Sequence, residues 1–235
     1  MKIIHDVNPE EERKLQELAA AANKLHLPFI GAAYFQLELL DKEDNIISIY
    51  RDRSHSWTRN GYNSFAQQLF AIDGEDPFDG YTDGNLGRKH TSGTALETIY
   101  PGFTYVAAAG NTNFGTIIGT SDTAESFDDY KVLAPIAHGT GAVQMEYGVV
   151  TKTATWQAGV LRFKAEYARN IVNNSAGAIT VKELGIYMHP INYQGNDVNI
   201  FYGCMARDVL ASPVTVDPTY QLRTKYNLYG PAFPA

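Results

Sequence analysis

The spacing of apolar positions changes along this chain, and each change marks an element. Leu15, Leu18, Ala19, Ala22 and Leu25 recur at three- and four-residue steps, the spacing of one helix face. Asn8 stands where a capping side chain belongs, and Pro9 suits a first turn. Glu10, Glu11 and Glu12 lie where the helix dipole favours negative charge, and Pro28 ends the pattern. The spacing predicts an N-terminal helix, either docked on its own domain or laid as an arm on a neighbouring subunit.

From Phe29 to Tyr50 the period falls to two. Phe35, Leu37 and Leu39 alternate with Gln36 and Glu38, Asp41 to Asn45 turns the chain, and Ile46 to Tyr50 returns, which is a hairpin. Trp57, Gly61, Phe65 and Leu69, at steps of four, predict one further short helix. Residues 71–102 then mix Gly74, Gly80, Gly84, Gly87 and Gly93 with Asp73, Asp76, Asp79 and Asp83 and lose all apolar period. A stretch this long without structure of its own reads as a contact loop.

Beyond Phe103 strand follows strand. Leu161, Phe163, Ala165, Tyr167 and Ile171 face one way, with Arg162, Lys164, Glu166 and Asn170 on the other face. Asn173 to Gly177 reads as a turn using left-handed backbone. The expected return strand carries Ile179 and Val181, then Leu184, Ile186 and Met188, and this one-residue shift near Glu183 predicts a β-bulge. Ile200, Tyr202, Cys204 and Ala206, then Tyr220, Leu222, Tyr226 and Leu228, close the series. The fold class expected is mainly β: an antiparallel β-sandwich with an N-terminal helix, a hairpin and one further short helix. Its organisation is residues 1–72 (helix, hairpin and short helix), 73–102 (acidic Gly-rich loop) and 103–235 (sandwich domain).

Composition narrows the function. An apolar fraction of 44% with 19% charged residues excludes a disordered polymer, and no apolar run approaches the roughly 20 residues of a membrane span. Met1 to Leu25 shows no apolar leader core, and the single Cys204 fits a reducing cytoplasm. Residues 1–60 carry 8 basic and 10 acidic side chains, 61–130 carry 2 and 10, and 131–235 carry 9 and 6, for a net charge of −7. Such a chain has no field with which to displace counterions from a phosphate backbone, so nucleic acid is not an expected partner. The 15 tyrosines point instead to protein surfaces.

Candidate chemistry is sparse. His5, His26, His55, His90, His138 and His189 show no metal-ligand spacing. His138, beside Gly139 and Gly141, reads as a loop hydrogen-bonding residue. The acidic runs Asp73–Asp83 and Asp122–Asp129 do not match a calcium loop, and Cys204 lies in an apolar strand. The expectation is a non-enzyme with no catalytic residue, cofactor or metal.

Four stretches together carry a resemblance. They are Arg51-Asp52-Arg53-Ser54-His55-Ser56-Trp57-Thr58-Arg59-Asn60-Gly61-Tyr62-Asn63, the run from Gly115 through Asp128-Asp129-Tyr130 to His138-Gly139-Thr140-Gly141, Asn173 to Tyr187, and Ala206 to Val216. In that order they resemble motifs of uncharacterised virion structural proteins of tailed bacteriophages. The resemblance implies a structural part of the particle, assembled in the bacterial host cytoplasm. It would be a capsid decoration (cement) protein or, next, a neck or tail component. Its partners would be copies of itself and the neighbouring major capsid, portal, neck or tail proteins, without membrane. Interface candidates are Arg51, Arg53, Trp57, Arg59, Tyr62, Asp79, Tyr81 and Asp83. The three arginines can equally scaffold the turn at Trp57 or meet an acidic neighbour. A carbohydrate-binding tail-fibre sandwich using Trp156 is the alternative, and a glycoside hydrolase the third.

Overall fold

A computed structural model describes residues 1–25, 32–54, 56–58, 61–62, 103–158, 162–190 and 202–229. In chain order its elements are β1 (Lys2–His5), α1 (Pro9–Lys24), β2 (Ala33–Leu40), β3 (Ile46–Ser54), β4 (Phe103–Thr104) and β5 (Gly115–Gly119). Then come β6 (Ala137–His138), β7 (Gln144–Gln157), β8 (Arg162–Val172), β9 (Ile179–Pro190), β10 (Gly203–Val216) and β11 (Gln221–Tyr229). The mainly β class and the N-terminal helix are as expected. The Asn8 side chain caps that helix, accepting the Glu10 amide at 3.0 Å. The expected second helix beyond Tyr62, and the 73–102 loop, lie outside the described residues.

One sheet has seven strands in the order β1-β3-β2-β11-β8-β7-β6, and the other is β10-β9-β4 with β5 also on β9. Their inner faces meet in one core. Phe35, Leu37, Tyr50, Met145, Ile171, Leu222 and Tyr226 come from the first sheet, and Val181, Leu184, Ile186, Met188 and Val216 from the second. Ile179, Val181, Leu184, Ile186 and Met188 are the inward set read from the sequence, and all five are buried. The ladder breaks beside Glu183, but the surplus residues belong to β10, between Val209 and Val214, rather than to β9.

The segments 1–72 and 103–235 contribute to one sheet, because β2 pairs with β11 along eight residues, from Ala33↔Leu228 to Leu40↔Gln221. The N-terminal hairpin needs a neighbour for its second edge, and the last strand supplies it. The expectations for β8 need correction. β8 and β9 are not a hairpin: β8 pairs with β7 and β11, whereas β9 belongs to the opposite sheet. Asn173 makes the corner between sheets. Its amide donates to the carbonyls of Gly177 at 2.9 Å and Val216 at 2.8 Å, and its oxygen accepts from Ser175. No residue from Asn173 to Gly177 has positive φ.

Finally, Phe163 is on the inward-facing side of β8 but 58% exposed. The β7–β8 hairpin runs on past the cover of the second sheet, and Trp156 pairs across from Phe163 in the overhang. Deeper on the same face sits a residue the apolar pattern passes over, Arg169, only 1% exposed. It has carbonyl partners, donating to Gly148 at 2.9 Å and Thr116 at 3.1 Å, and stacks 4.7 Å from the Tyr147 ring. Burial draws its pKa down to about 10.

Candidate interaction surface

Several polar residues of the resembling stretches come together at β10. Residues 56–58 lie along that strand. Arg207 N–H donates to the Ser56 carbonyl at 3.2 Å, Trp57 bridges Ala206, and Thr58 N–H donates to the Met205 carbonyl at 3.0 Å. The buried Thr58 hydroxyl adds a bond to the Cys204 carbonyl at 2.6 Å. Gly61 is required by closeness: a Cβ there would stand 2.4 Å from the Met205 carbonyl oxygen. Just before this turn, the Ser54 hydroxyl donates to Asp208 at 2.9 Å, and Tyr226 donates to the same carboxylate at 3.2 Å. All three side chains are buried.

The other side of β10 holds a second polar centre. Arg207 donates from Nε to Glu183 at 2.7 Å and from Nη1 to Asp129 at 2.8 Å. Arg207 also reaches the Thr123 carbonyl at 2.9 Å. Glu183 accepts backbone amides from Ser121, Leu133 and Ala134, so the segment 121–134 is tied down from both ends of the pair. Burial opposes the Arg207 charge, but the Glu183 and Asp129 carboxylates outweigh it and hold the guanidinium pKa above its ordinary value. Beneath the same segment Ile117, Val132, Tyr187 and Cys204 form a small apolar cluster. Burial pushes the Cys204 thiol far up, which keeps it protonated and unreactive.

The remaining polar candidates have partners within the fold. The Glu125 carboxylate accepts the Val209 amide at 2.6 Å, and Asp122 pairs with Lys182 at 2.7 Å, which holds the Asp122 pKa low. His138 accepts the Tyr147 amide at Nδ1, 3.1 Å away, and therefore carries its proton on Nε2 when neutral. Among the described residues no three His, Cys, Asp or Glu side chains are grouped to hold a metal.

The expected interface residues divide. Arg51 donates to Gln36 at 2.8 Å on the outer face of the larger sheet, while Arg53 lies 4.0 Å from Glu11 of α1. Trp57 and Tyr62 join Arg53, Leu15 and Leu18 around a groove of about 380 Å³ beside α1. Tyr62, 57% exposed, packs its ring 5.7 Å from Phe127, itself 48% exposed. Arg59, Asp79, Tyr81 and Asp83 lie outside the described residues. Tyr34 donates to Glu12 of the helix at 2.8 Å, while Leu18, and Leu25 just past its end, are 62% and 67% exposed.

The sequence pattern did not reveal the overhanging hairpin. Trp156 (46% exposed) packs against Phe163 with the rings tilted by 60° and their centroids 4.8 Å apart. The only local signal was the alternation of Thr151, Thr153 and Thr155 with Lys152, Ala154 and Trp156. No protein-family model matches this chain, and neither does any curated protein or solved structure.

Proposed function

We propose that the chain is a structural component of a tailed-bacteriophage virion, on the head as a decoration protein ahead of a neck or tail position. One observation carries the reading. Ser54, Asp129, Glu183, Arg207 and Asp208 of the resembling stretches, with the neighbouring Cys204, are buried or nearly so and their bonds hold loops to β10, while the exposed His138 and Asp122 are engaged by Tyr147 and Lys182. Several large apolar and aromatic side chains stand exposed: Leu18, Leu25, Tyr62, Phe127, Trp156 and Phe163. That distribution suits a part whose work is contact with other proteins.

The decisive experiment locates the chain in particles. Mass spectrometry and cryo-EM of particles purified from the virus carrying this gene are expected to find it at a symmetric position. Its absence from intact particles overturns the reading. So does hydrolysis of peptidoglycan or host polysaccharide by the purified chain that is lost in a single carboxylate variant.

A further inference from the structure

We propose that the chain forms an intramolecular isopeptide bond between Lys225 and Gln36, with Glu38 carrying the protons. The three residues share the outer face of the larger sheet, where β2 lies between β3 and β11. Lys225 and Arg51 are the direct cross-strand partners of Gln36 on its two sides, and Arg223 is the partner of Glu38. Glu38, two residues on along β2, is only 2% exposed.

Each group has the bond that its part requires. The Gln36 carboxamide is oriented from both ends: Nε2 donates to Glu38 Oε1 at 2.5 Å, and Oε1 accepts from Arg51 Nε at 2.8 Å. Lys225 Nζ donates to the same Glu38 oxygen. Two donors on one acceptor stand roughly 4–5 Å apart, so the amine lies beside the carboxamide. Arg223 holds the other Glu38 oxygen, Oε2, at 3.2 Å and keeps the carboxylate turned towards the pair. An ordinary Lys–Glu ion pair offers the amine nothing to attack. Here the carboxylate touches both a nucleophile and the nitrogen that would leave, and a guanidinium polarises the carbonyl between them.

The reaction exchanges one amide for another, and nothing is oxidised or reduced. Glu38 takes a proton from the Lys225 ammonium, and the resulting amine attacks Gln36 Cδ to form the new C–N bond. The Arg51 guanidinium stabilises the negative charge that develops on Oε1. The Cδ–Nε2 bond then breaks, its electron pair going to nitrogen. The two protons that Nζ gives up pass by way of Glu38 to Nε2, which leaves as ammonium. The product ties the N-terminal hairpin to the last strand and closes most of the chain into one covalent loop, a restraint on the unfolded state. The inference concerns bonds within one chain and does not depend on the virion assignment.

Intact-mass spectrometry of the full chain, fresh and after prolonged incubation at neutral pH, tests it. The expected product is lighter than the sequence mass by one ammonia, and its digest contains peptides joined through Lys225 and Gln36. Lys225→Arg keeps the charge and is expected to stay at its full mass, as is Glu38→Gln, with circular dichroism reporting whether each is folded. Should Glu38→Gln fail to fold, the joined peptide and Lys225→Arg still decide whether the bond forms.

A wild-type chain that keeps its full mass throughout overturns the proposal. So does loss of one water with Lys225 joined to Glu38, or loss of ammonia that persists in Lys225→Arg. Bond formation at the wild-type rate in folded Glu38→Gln removes Glu38 as the proton carrier and overturns that part of it.

Discussion

Arg207 Nε donates to Glu183 Oε2 at 2.7 Å, and neither side chain has any exposed surface. The pair joins β9 to β10 on the face away from the main core, and Asp129 completes it from the covering segment at 2.8 Å. Removing one member would leave the other charge buried without compensation. Arg207→Met is expected to cost about 3–5 kcal/mol in urea unfolding. Hydrogen exchange should speed up first in residues 121–134, whose amides Glu183 holds. A loss under about 1 kcal/mol would show that the network contributes little to stability.

Phe163 and Ile171 share a strand face but not an environment, at 58% and 0% exposed. Ile171→Ala should cost about 2–5 kcal/mol by leaving a cavity in the core. Phe163→Ala, in the isolated monomer, should cost within about 1 kcal/mol. Thermal melts of the two variants decide this. Equal damage would place the overhang in the core after all.

Gly61 and Gly177 form a second contrasting pair. A methyl at Gly61 would meet the Met205 carbonyl at 2.4 Å and the Trp57 ring at 2.9 Å, whereas nothing lies within 4 Å of one at Gly177. Gly61→Ala should therefore weaken the docking of Trp57, Thr58 and Gly61 on β10 and lower the melting temperature. Gly177→Ala, at a position without positive φ, should be neutral or stabilise by about 0.4–1 kcal/mol. Thermal melts that rank the two in the opposite order would contradict the proposed packing of the turn.

Burial lowers the pKa of His189 below its ordinary 6.5. Its ring stacks on Phe114 with centroids 4.8 Å apart. The unfolded chain then binds a proton more readily at this site than the folded chain does. This contribution to stability is complete above pH 6.5 and declines as pH falls through that value towards the lower folded pKa. His189→Phe should flatten this part of the stability–pH curve. An unchanged curve between wild type and variant would remove His189 as its source.

The periodic part of the fold was legible because it is local. A helix cap, an i, i+4 apolar stripe and an alternating strand are properties of neighbouring residues and backbone geometry. So α1 and its Asn8 cap, the β2–β3 hairpin and the inward set Ile179 to Met188 could be read directly. Arg169 escaped because an apolar pattern has no place for a buried cation whose partners are carbonyls. The groove at Trp57 and Tyr62 was legible only as a candidate surface.

Residue spacing in this chain therefore determined which segments are strands or helix, and which side of most strands is apolar. Only the folded chain decided which strands become neighbours. β11 takes the N-terminal hairpin on one edge and β8 on the other, and β8 parts from β9 at the Asn173 corner. Only there, too, do Asp129, Glu183 and Arg207 meet across separations of up to 78 residues. Alternation says that a side chain points to one face, but burial depends on whether a second sheet extends over it. That extent is set by strand lengths and crossings far away in sequence, which is why Ile171 is sealed and Phe163, on the same face, is not.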